Sequence, residues 1–381
     1  MKKVLCMCLA LCLMLTNFVG CDKTDNEKDN QNNTENINEN IDEGNNALST
    51  PSNNKVNKNT IIATKGYENG IAYVQRYVEG ENIHSFIDKK GNILFETTEY
   101  CYNMLEPISK NGITILYTND MVNYVCDIRN GKIITAEELN GTNICSNYEM
   151  TEEGYILVEK VETTYNGSIK SYAIFNDKLE EVFPYSEKLH SYLYDNFWNM
   201  LRCDEGYIYS NSNLDYGYFD INTGIFGTDI NEIPTSVRDN DSDRIWSDVL
   251  NNNEDYVNVY ERGAFVNGYA AVGFETEGVY YFTIVDKNGD FCFEPIATKG
   301  NYIRGSAGEY VVVAWDEHGE SYIEVFDTNG KVTEFIVEIE NFAQVELNYS
   351  ENVICIASGL HDFNTKERIC EFYSEDGTEL F

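Results

Sequence analysis

A glycine, an apolar strand and an acidic tight turn recur together seven times between residues 70 and 376, and this repeat constrains the fold more than any other feature. The clearest copies combine residues 69–74 with 86–91, and residues 267–272 with 284–289. Intervals of 40 to 62 residues separate the strand-opening positions, which are Gly70, Gly112, Gly154, Gly206, Gly268, Gly308 and Asn352. Such a period, with strands rather than helices in each unit, is typical of propeller blades or similar sheet arrays. Chance recurrence of these motifs in a strand-rich chain is the alternative.

The acidic turns have a structural explanation. Their aspartates are Asp88, Asp127, Asp177, Asp220, Asp286, Asp327 and Asp376. Glycine in such turns adopts φ > 0, and the acidic side chain can accept hydrogen bonds from the turn backbone. Residues 60–381 shared among seven units give about 46 residues per unit, which suits a four-stranded blade. We therefore predict an all-β fold, a seven-unit β-propeller built from antiparallel meander blades.

Residues 1–20 have the pattern of a secretion signal, because a basic start precedes an apolar stretch too short to span a bilayer comfortably. The segment ends in Phe-Val-Gly-Cys, which resembles the lipobox of bacterial lipoproteins. That resemblance implies that Cys21 carries diacylglycerol and anchors an extracytoplasmic protein to the bacterial cell membrane. Ordinary cleavage near Gly20 and an uncleaved anchor are the alternatives. The rest of residues 21–59 is polar and lacks aromatic residues, which predicts a disordered tether.

The chain carries 64 acidic and 27 basic residues, a formal net charge of −37. This charge repels phosphate backbones and anionic headgroups, which argues against nucleic acid as a partner and leaves membrane attachment to the lipid. Seven of the 11 cysteines remain after the signal and Cys21 are set aside, and an odd number forbids complete pairing. We predict mostly free buried thiols, with room for one disulfide, and neither zinc nor another cofactor.

An insertion over residues 228–255 lengthens the interval between the fourth and fifth units. It contains Asp239, Asp241, Asp243 and Trp246, with apolar residues at helical spacing around the tryptophan. Insertions in repeat folds project from one face and often carry the binding function. These four residues are therefore candidates for binding a partner with a cationic group, although neutral drift of a loop is an equal alternative. The mouth of the propeller's central channel is the next candidate for the binding site.

The aspartates of the insertion begin like a calcium-binding loop. Arg244 and Leu250 occupy the sixth and twelfth positions, where such a loop needs glycine and glutamate, so the motif fails. No P-loop, nucleophile elbow or His-Glu-x-x-His motif is present. A carboxylate pair for glycoside hydrolysis meets in space rather than in sequence, so it stays open. No catalytic or metal-binding residue is predicted.

Aromatic residues are abundant, and most of them suit half-buried strands. Trp198, Trp246 and Trp315 lie outside the strand pattern and are the aromatic candidates for ligand contact. Residues 186–201 place apolar side chains at helical spacing, although a strand pair also fits.

The best units resemble the WG-repeat family of bacterial proteins. Residues 67–74 with 86–91, and residues 265–272 with 281–289, carry the resemblance, with other residues in place of the Trp-Gly dipeptide. The resemblance implies a non-enzymatic, strand-rich scaffold that is often exported, and it carries over no functional residues.

The sequence thus predicts a surface-anchored lipoprotein that acts as a non-catalytic binding or scaffolding module for an envelope protein, peptide or glycan. The alternative is a propeller-fold carbohydrate-active hydrolase that uses an acidic pair. A transporter's solute-binding lipoprotein fits less well, because such receptors have long helices and helical periodicity here is confined to two short segments.

Overall fold

The computed structural model describes residues 54–102, 106–118, 123–140, 147–151, 153–165, 167–196, 201–210, 217–234, 237, 242–252, 259–298, 301–317, 320–337, 346–358 and 369–381. All of them belong to one compact unit, Ala47–Phe381. The predicted signal, Cys21 and the tether up to residue 53 lie outside the described residues. Within the described residues, no helix is long and apolar enough to cross a membrane.

The described residues form seven antiparallel sheets whose strands follow chain order. Sheet 1 contains β1 (Ile61–Glu68), β2 (Ile71–Val78), β3 (Glu81–Asp88) and β4 (Ile93–Thr97), and sheet 2 contains β5 (Tyr100–Tyr102), β6 (Ile113–Thr118), β7 (Asn123–Asp127) and β8 (Lys132–Ile134). Sheet 3 contains β9 (Asn147–Met150), β10 (Ile156–Thr164), β11 (Gly167–Phe175) and β12 (Glu181–Ser186), and sheet 4 contains β13 (Leu201–Asp204), β14 (Tyr207–Ser210), β15 (Tyr218–Asp220) and β16 (Ile225–Gly227). Sheet 5 contains β17 (Val259–Arg262), β18 (Tyr269–Thr276), β19 (Val279–Asp286) and β20 (Ile296–Ala297). Sheet 6 contains β21 (Asn301–Ala307), β22 (Tyr310–Glu317), β23 (Glu320–Asp327) and β24 (Gly330–Val337). Sheet 7 contains β25 (Glu346–Ser350), β26 (Val353–Ser358) and β27 (Ile369–Ser374).

Three short helices accompany the strands of the described residues: α1 (Ala136–Asn140), α2 (Glu187–Asn196) and α3 (Ser242–Asn252). Helix α2 lies where the spacing over residues 186–201 fitted either a helix or a strand pair. Helix α3 lies where the insertion has its helical spacing.

The sheets are buried on both faces, as blades packed face to face require. In β2, Ile71 and Tyr73 join a cluster with sheet 2, whereas Ala72 and Val74 join a cluster with sheet 7. First strands of neighbouring sheets lie beside one another, as β1, β21 and β25 do, so the first strands are innermost. Further apolar clusters join sheets 2 with 3, 3 with 4, 5 with 6 and 6 with 7. The predicted seven-unit β-propeller is confirmed.

Side chains, rather than a shared strand, join the last sheet to the first. Each sheet of the described residues is built from consecutive strands. Val56 and Ile61 pack in one cluster with Cys355 and Phe372, and Val56 N also donates to Gly91 O at 2.8 Å. The folded part therefore begins by residue 54, six residues before the expected boundary at residue 60.

The strand-opening positions of the repeat are all turn residues between the first and second strands of their sheets. All have positive φ: Gly70 (79°), Gly112 (83°), Gly154 (90°), Gly206 (79°), Gly268 (88°), Gly308 (56°) and Asn352 (66°). The sequence repeat therefore begins one strand inside each sheet. The first strands lack a sequence marker of this kind, because their side chains differ from one sheet to the next and β1 contains two register irregularities.

The predicted backbone role of the turn aspartates is confirmed in six of the seven sheets. Each of these accepts a hydrogen bond from a backbone N–H two or three residues on, at 2.7–3.0 Å: Asp88, Asp127, Asp220, Asp286, Asp327 and Asp376. Sheet 3 differs, because Asn176 Oδ1 accepts from Lys178 N and Glu180 N at 2.9 and 3.0 Å. Asp177 is therefore not needed to stabilise its turn.

The insertion between sheets 4 and 5 contributes to the core, so its interpretation as a projecting loop was wrong. Ile233 and Val237 pack with Tyr209 of sheet 4. Helix α3 packs its apolar residues, including Trp246, against sheet 5. The amphipathic pattern of α3 reflects packing against a blade.

Five of the described cysteines are thiols outside any disulfide. Cys126, Cys355 and Cys370 are buried, and Cys203 and Cys292 are half-buried. Cys292 lies after the end of β19 rather than within a strand as its apolar surroundings indicated.

Candidate functional site

A pocket of about 490 Å³ opens at the end of the propeller where first strands turn into second strands. We call it the turn-face pocket. Sheets 1 and 2 contribute Asn69, Ser109 and Lys110, and sheets 3 and 4 contribute the other lining residues: Glu153, Gly154, Tyr155, Asn176, Asp177, Glu205 and Gly206. Four blades therefore converge on one polar cavity.

Two glycines allow these turns to approach so closely. Gly154 has a φ of +90°, and a Cβ on it would lie 2.8 Å from the Cβ of Ser109 in sheet 2. Gly206 has a φ of +79°, and a Cβ there would lie 2.6 Å from Asn222 Nδ2. Glycine is the residue that meets both the positive φ and the missing space. These two glycines therefore line the pocket with backbone alone.

Glu153 joins sheet 3 to sheet 4 at the pocket. Its carboxylate accepts hydrogen bonds from Glu205 N at 2.5 Å and from Gly206 N at 3.0 Å, and Cys203 Sγ donates to it at 3.4 Å. Backbone N–H donors fix the orientation of a carboxylate that accepts from them. Glu153 is thus a positioned acceptor at the rim.

Asp177 and Tyr155 form the wall that belongs to sheet 3. Asp177 is half-buried, and it has no hydrogen bond or ion pair to another residue of the described ranges. Burial raises the pKa of Tyr155, and the charges of Glu153 and Asp177 raise it further. The phenol therefore stays protonated at neutral pH, while its ring packs against the cluster between sheets 3 and 4.

Two further carboxyl groups belong to sheets 2 and 3: Glu106 lies in the segment between β5 and β6, and Glu149 lies in β9. Tyr117 Oη donates to Glu106 Oε1 at 2.8 Å, and Tyr172 Oη donates to Glu149 Oε1 at 3.4 Å. Burial raises the pKa of both carboxyls, and the charge of Glu106 raises the pKa of Glu149 further. Glu149 lies in β9, four residues before Glu153 in the turn that follows this strand. We call Glu106 and Glu149 the inner carboxyl pair.

Glu159, on the next strand, lies near Glu149 and forms ion pairs of its own. Glu159 is 7% exposed, and its Oε1 lies 2.9 Å from Lys170 Nζ and 3.5 Å from His190 Nε2. The His190 ring stacks on Tyr172 at a centroid distance of 5.5 Å. Among the described residues, no three His, Cys, Asp or Glu side chains converge as a metal-binding group.

Trp246 is in the core, so its predicted role as an exposed contact for a partner was wrong. The side chain is 3% exposed, lies 5.1 Å from the Phe265 ring and donates Nε1–H to Gly263 O at 2.8 Å. Helical spacing gave no sign of which surface covers the apolar face. Asp243 lies in the first turn of α3, and Asp239 and Asp241 are outside the described residues.

The two other tryptophan candidates do not extend the site. Trp315 is 1% exposed and donates Nε1–H to the buried Glu324 at 2.6 Å. Trp198 lies outside the described ranges. Sequence reasoning did not select Glu153, Tyr155 or Asp177 for the site. The asparagine before Asp177, which replaces its turn function, was the available signal.

The sequence matches no protein-family model and no curated protein. Among solved structures, the chain is similar to an uncharacterised protein, lmo1340, of Listeria monocytogenes, with 9% identity, 87% of this chain and 97% of that chain covered, and a TM-score of 0.37. It is also similar to the β-propeller domain of the Trilobed protease of Pyrococcus furiosus, with 10% identity, coverages of 83% and 93%, and a TM-score of 0.34. A third similar structure is the Cps50 (Swd1) β-propeller domain of Myceliophteria thermophila, with 8% identity, coverages of 85% and 99%, and a TM-score of 0.31.

These TM-scores are low, so the propeller assignment here depends on strand order and packing. Nothing known of those proteins transfers to this chain. The resemblance to WG repeats stays a prediction.

Proposed function

We propose that this protein is a non-catalytic binding module, held on the outer face of a bacterial membrane by a lipid on Cys21, and that the turn-face pocket binds its partner. The observation that carries the proposal is the convergence of four blades on one polar cavity. Propellers commonly suit binding, since turns from several blades meet at one end and present side chains on a rigid frame.

The pocket has the properties of a recognition site. Its volume lies within the usual range for ligand pockets, about 300 to 1,000 Å³. Glu153 is fixed by backbone donors, and Asp177 is available because Asn176 stabilises the turn. A partner that offers hydrogen-bond donors to these acceptors, whether a protein, a peptide or a glycan, is the class that fits.

The membrane attachment is tested separately from the pocket. Fatty-acid labelling of the full chain should mark the wild type, and Cys21→Ala should lose both the label and the membrane association. Labelled or membrane-bound Cys21→Ala protein after signal cleavage would refute lipid attachment at this residue.

The pocket is tested with the mature lipidated protein in nanodiscs, exposed to separate envelope fractions of proteins, peptides and glycans. Asp177→Arg places a bulky cation in the pocket and should reduce retention of the bound fraction at least tenfold. Asp290→Arg is the matched control, because Asp290 is exposed in the equivalent turn of sheet 5. Equal retention by the two variants would exclude the pocket. The retained partner should keep its mass over time, since binding without catalysis leaves it intact.

The alternative function, a carbohydrate-active hydrolase, is favoured by the inner carboxyl pair. Glycoside hydrolysis needs one carboxylic acid that stays protonated near neutral pH, and burial raises the pKa of both Glu106 and Glu149. Release of reducing ends from soluble polysaccharides is the assay. This alternative requires turnover by the wild type, loss of at least a hundredfold in Glu149→Gln, and no loss in the exposed control Glu294→Gln. Absence of turnover in the wild type would reject it.

A further inference from the structure

We infer that the turn-face pocket binds a saccharide that stacks on the Tyr155 ring. Glu153 and Asp177 accept hydrogen bonds from the sugar hydroxyl groups, and Lys110 donates hydrogen bonds to sugar oxygens. This inference rests on the proposed function, because it names the ligand class of the same pocket.

The charged donor and the charged acceptors of the pocket come from different sheets. Sheet 2 contributes the ammonium group of Lys110, which is exposed and has no hydrogen bond or ion pair within the described ranges. Sheets 3 and 4 contribute the carboxylates of Glu153, Asp177 and Glu205. A hydroxyl group both donates and accepts hydrogen bonds, so a ring that carries several hydroxyls can satisfy the donor and the acceptors at once.

A simpler charged ligand pairs either with Lys110 or with the carboxylates, but not with both. A phosphate or carboxylate would pair with Lys110 but would face three carboxylates. A lone amine would pair with the carboxylates but would offer Lys110 no acceptor. A neutral polyhydroxylated ligand avoids both costs, because carboxylate acceptors and an ammonium donor strengthen hydrogen bonds to hydroxyl groups.

The remaining lining supplies an apolar face and room for a ring. Tyr155 is half-buried, packs against the cluster between sheets 3 and 4 and also borders the pocket. Its raised pKa keeps the hydroxyl protonated, so it remains a donor. Gly154 and Gly206 line the pocket with backbone and without side chains. Aromatic rings of this kind combine apolar area with one polar end.

The test uses the mature protein in nanodiscs, with cellobiose, chitobiose and maltose as saccharide probes and cadaverine and inorganic phosphate as charged probes. Saturation-transfer NMR detects binding, and calorimetric titration measures Kd. At least one disaccharide should bind at millimolar concentration or better. Asp177→Asn and Lys110→Met should each weaken that binding at least fivefold, and Asp290→Asn should leave it within twofold.

Tyr155→Leu should weaken disaccharide binding at least tenfold if it folds, as judged by its circular dichroism melting curve. If it does not fold, Lys110→Met supplies the decision, because that exposed side chain contributes nothing to the core. Failure of all three disaccharides to bind overturns the inference. Cadaverine binding that depends on Asp177, without disaccharide binding, also overturns the saccharide assignment but leaves the pocket as the binding site. Disaccharide binding that ignores both Asp177 and Lys110 overturns the inference as well.

Discussion

The insertion helix gives a stringent test of the fold, because the sequence pattern placed Trp246 on the surface and the structure places it in the core. Trp246→Ala removes a side chain that is 3% exposed, with its packing on Phe265 and its hydrogen bond to Gly263 O. Truncation of a buried tryptophan costs about 3–5 kcal/mol of unfolding free energy. The Gly263 carbonyl would also lose its partner, which costs about 1 kcal/mol when water does not replace it.

The assay is urea unfolding of the full mature chain, followed by circular dichroism. The expected loss for Trp246→Ala lies at the upper end of the range for single substitutions. Asp248→Ala is the matched control on the same helix, because Asp248 is exposed, and its effect should stay within about 0.5 kcal/mol. Trp246→Phe keeps most of the packing and should cost less than the alanine variant. A loss below about 1 kcal/mol in Trp246→Ala would refute the packing of α3 against sheet 5, since that value is far below the cost of a cavity of this size.

Three further outcomes follow from particular contacts. Glu351→Gln should lower stability by about 0.5–1 kcal/mol, and less at high salt, because it removes the charge that pairs with Lys89 at 3.2 Å across the seam between sheets 7 and 1, while the amide oxygen can still accept from Gly70 N; an unchanged urea midpoint would show that the seam does not need this ion pair. Glu149→Gln should raise the urea midpoint at pH 7 and leave it unchanged at pH 4, because a carboxyl whose folded pKa is raised holds its proton more tightly in the folded chain, so stability falls as pH rises through the unfolded pKa toward the folded one; a lower midpoint at pH 7 contradicts this reasoning. Gly154→Ala should destabilise more than Gly70→Ala, since both have positive φ but a Cβ meets Ser109 only at Gly154 and nothing within 4 Å at Gly70; equal losses in thermal unfolding would remove the steric argument.

The turns of the propeller could be predicted from sequence because each turn has a local chemical requirement. Positive φ selects glycine or asparagine at positions such as Gly112 and Asn352, and the turn backbone selects an acceptor such as Asp286. These requirements repeat with every blade and therefore leave a period in the sequence. The first strands have no comparable marker, so the repeat appeared to start one strand late.

The site could not be predicted in the same way, because it depends on residues that the turns bring together from separate blades. Asp177 looked like one more turn aspartate, and only the hydrogen bonds of Asn176 show that it is not needed there. The prediction for Trp246 was wrong for a related reason, since an amphipathic pattern does not show whether its apolar side faces a blade or a partner. Long-range packing decides both cases.

The central claim is that the turn-face pocket is where the partner binds, and hydrogen exchange of the mature protein tests it most directly. Amide exchange, read by mass spectrometry, should slow in residues 109–112, 153–155 and 205–206 when a saturating bound disaccharide or retained envelope fraction is added, because a ligand in the pocket stabilises the turns that form its walls. Exchange around residues 286–290, in the turn between β19 and β20 of sheet 5, should not change. Protection confined to residues 228–255, or to the opposite end of the blades, would contradict the claim.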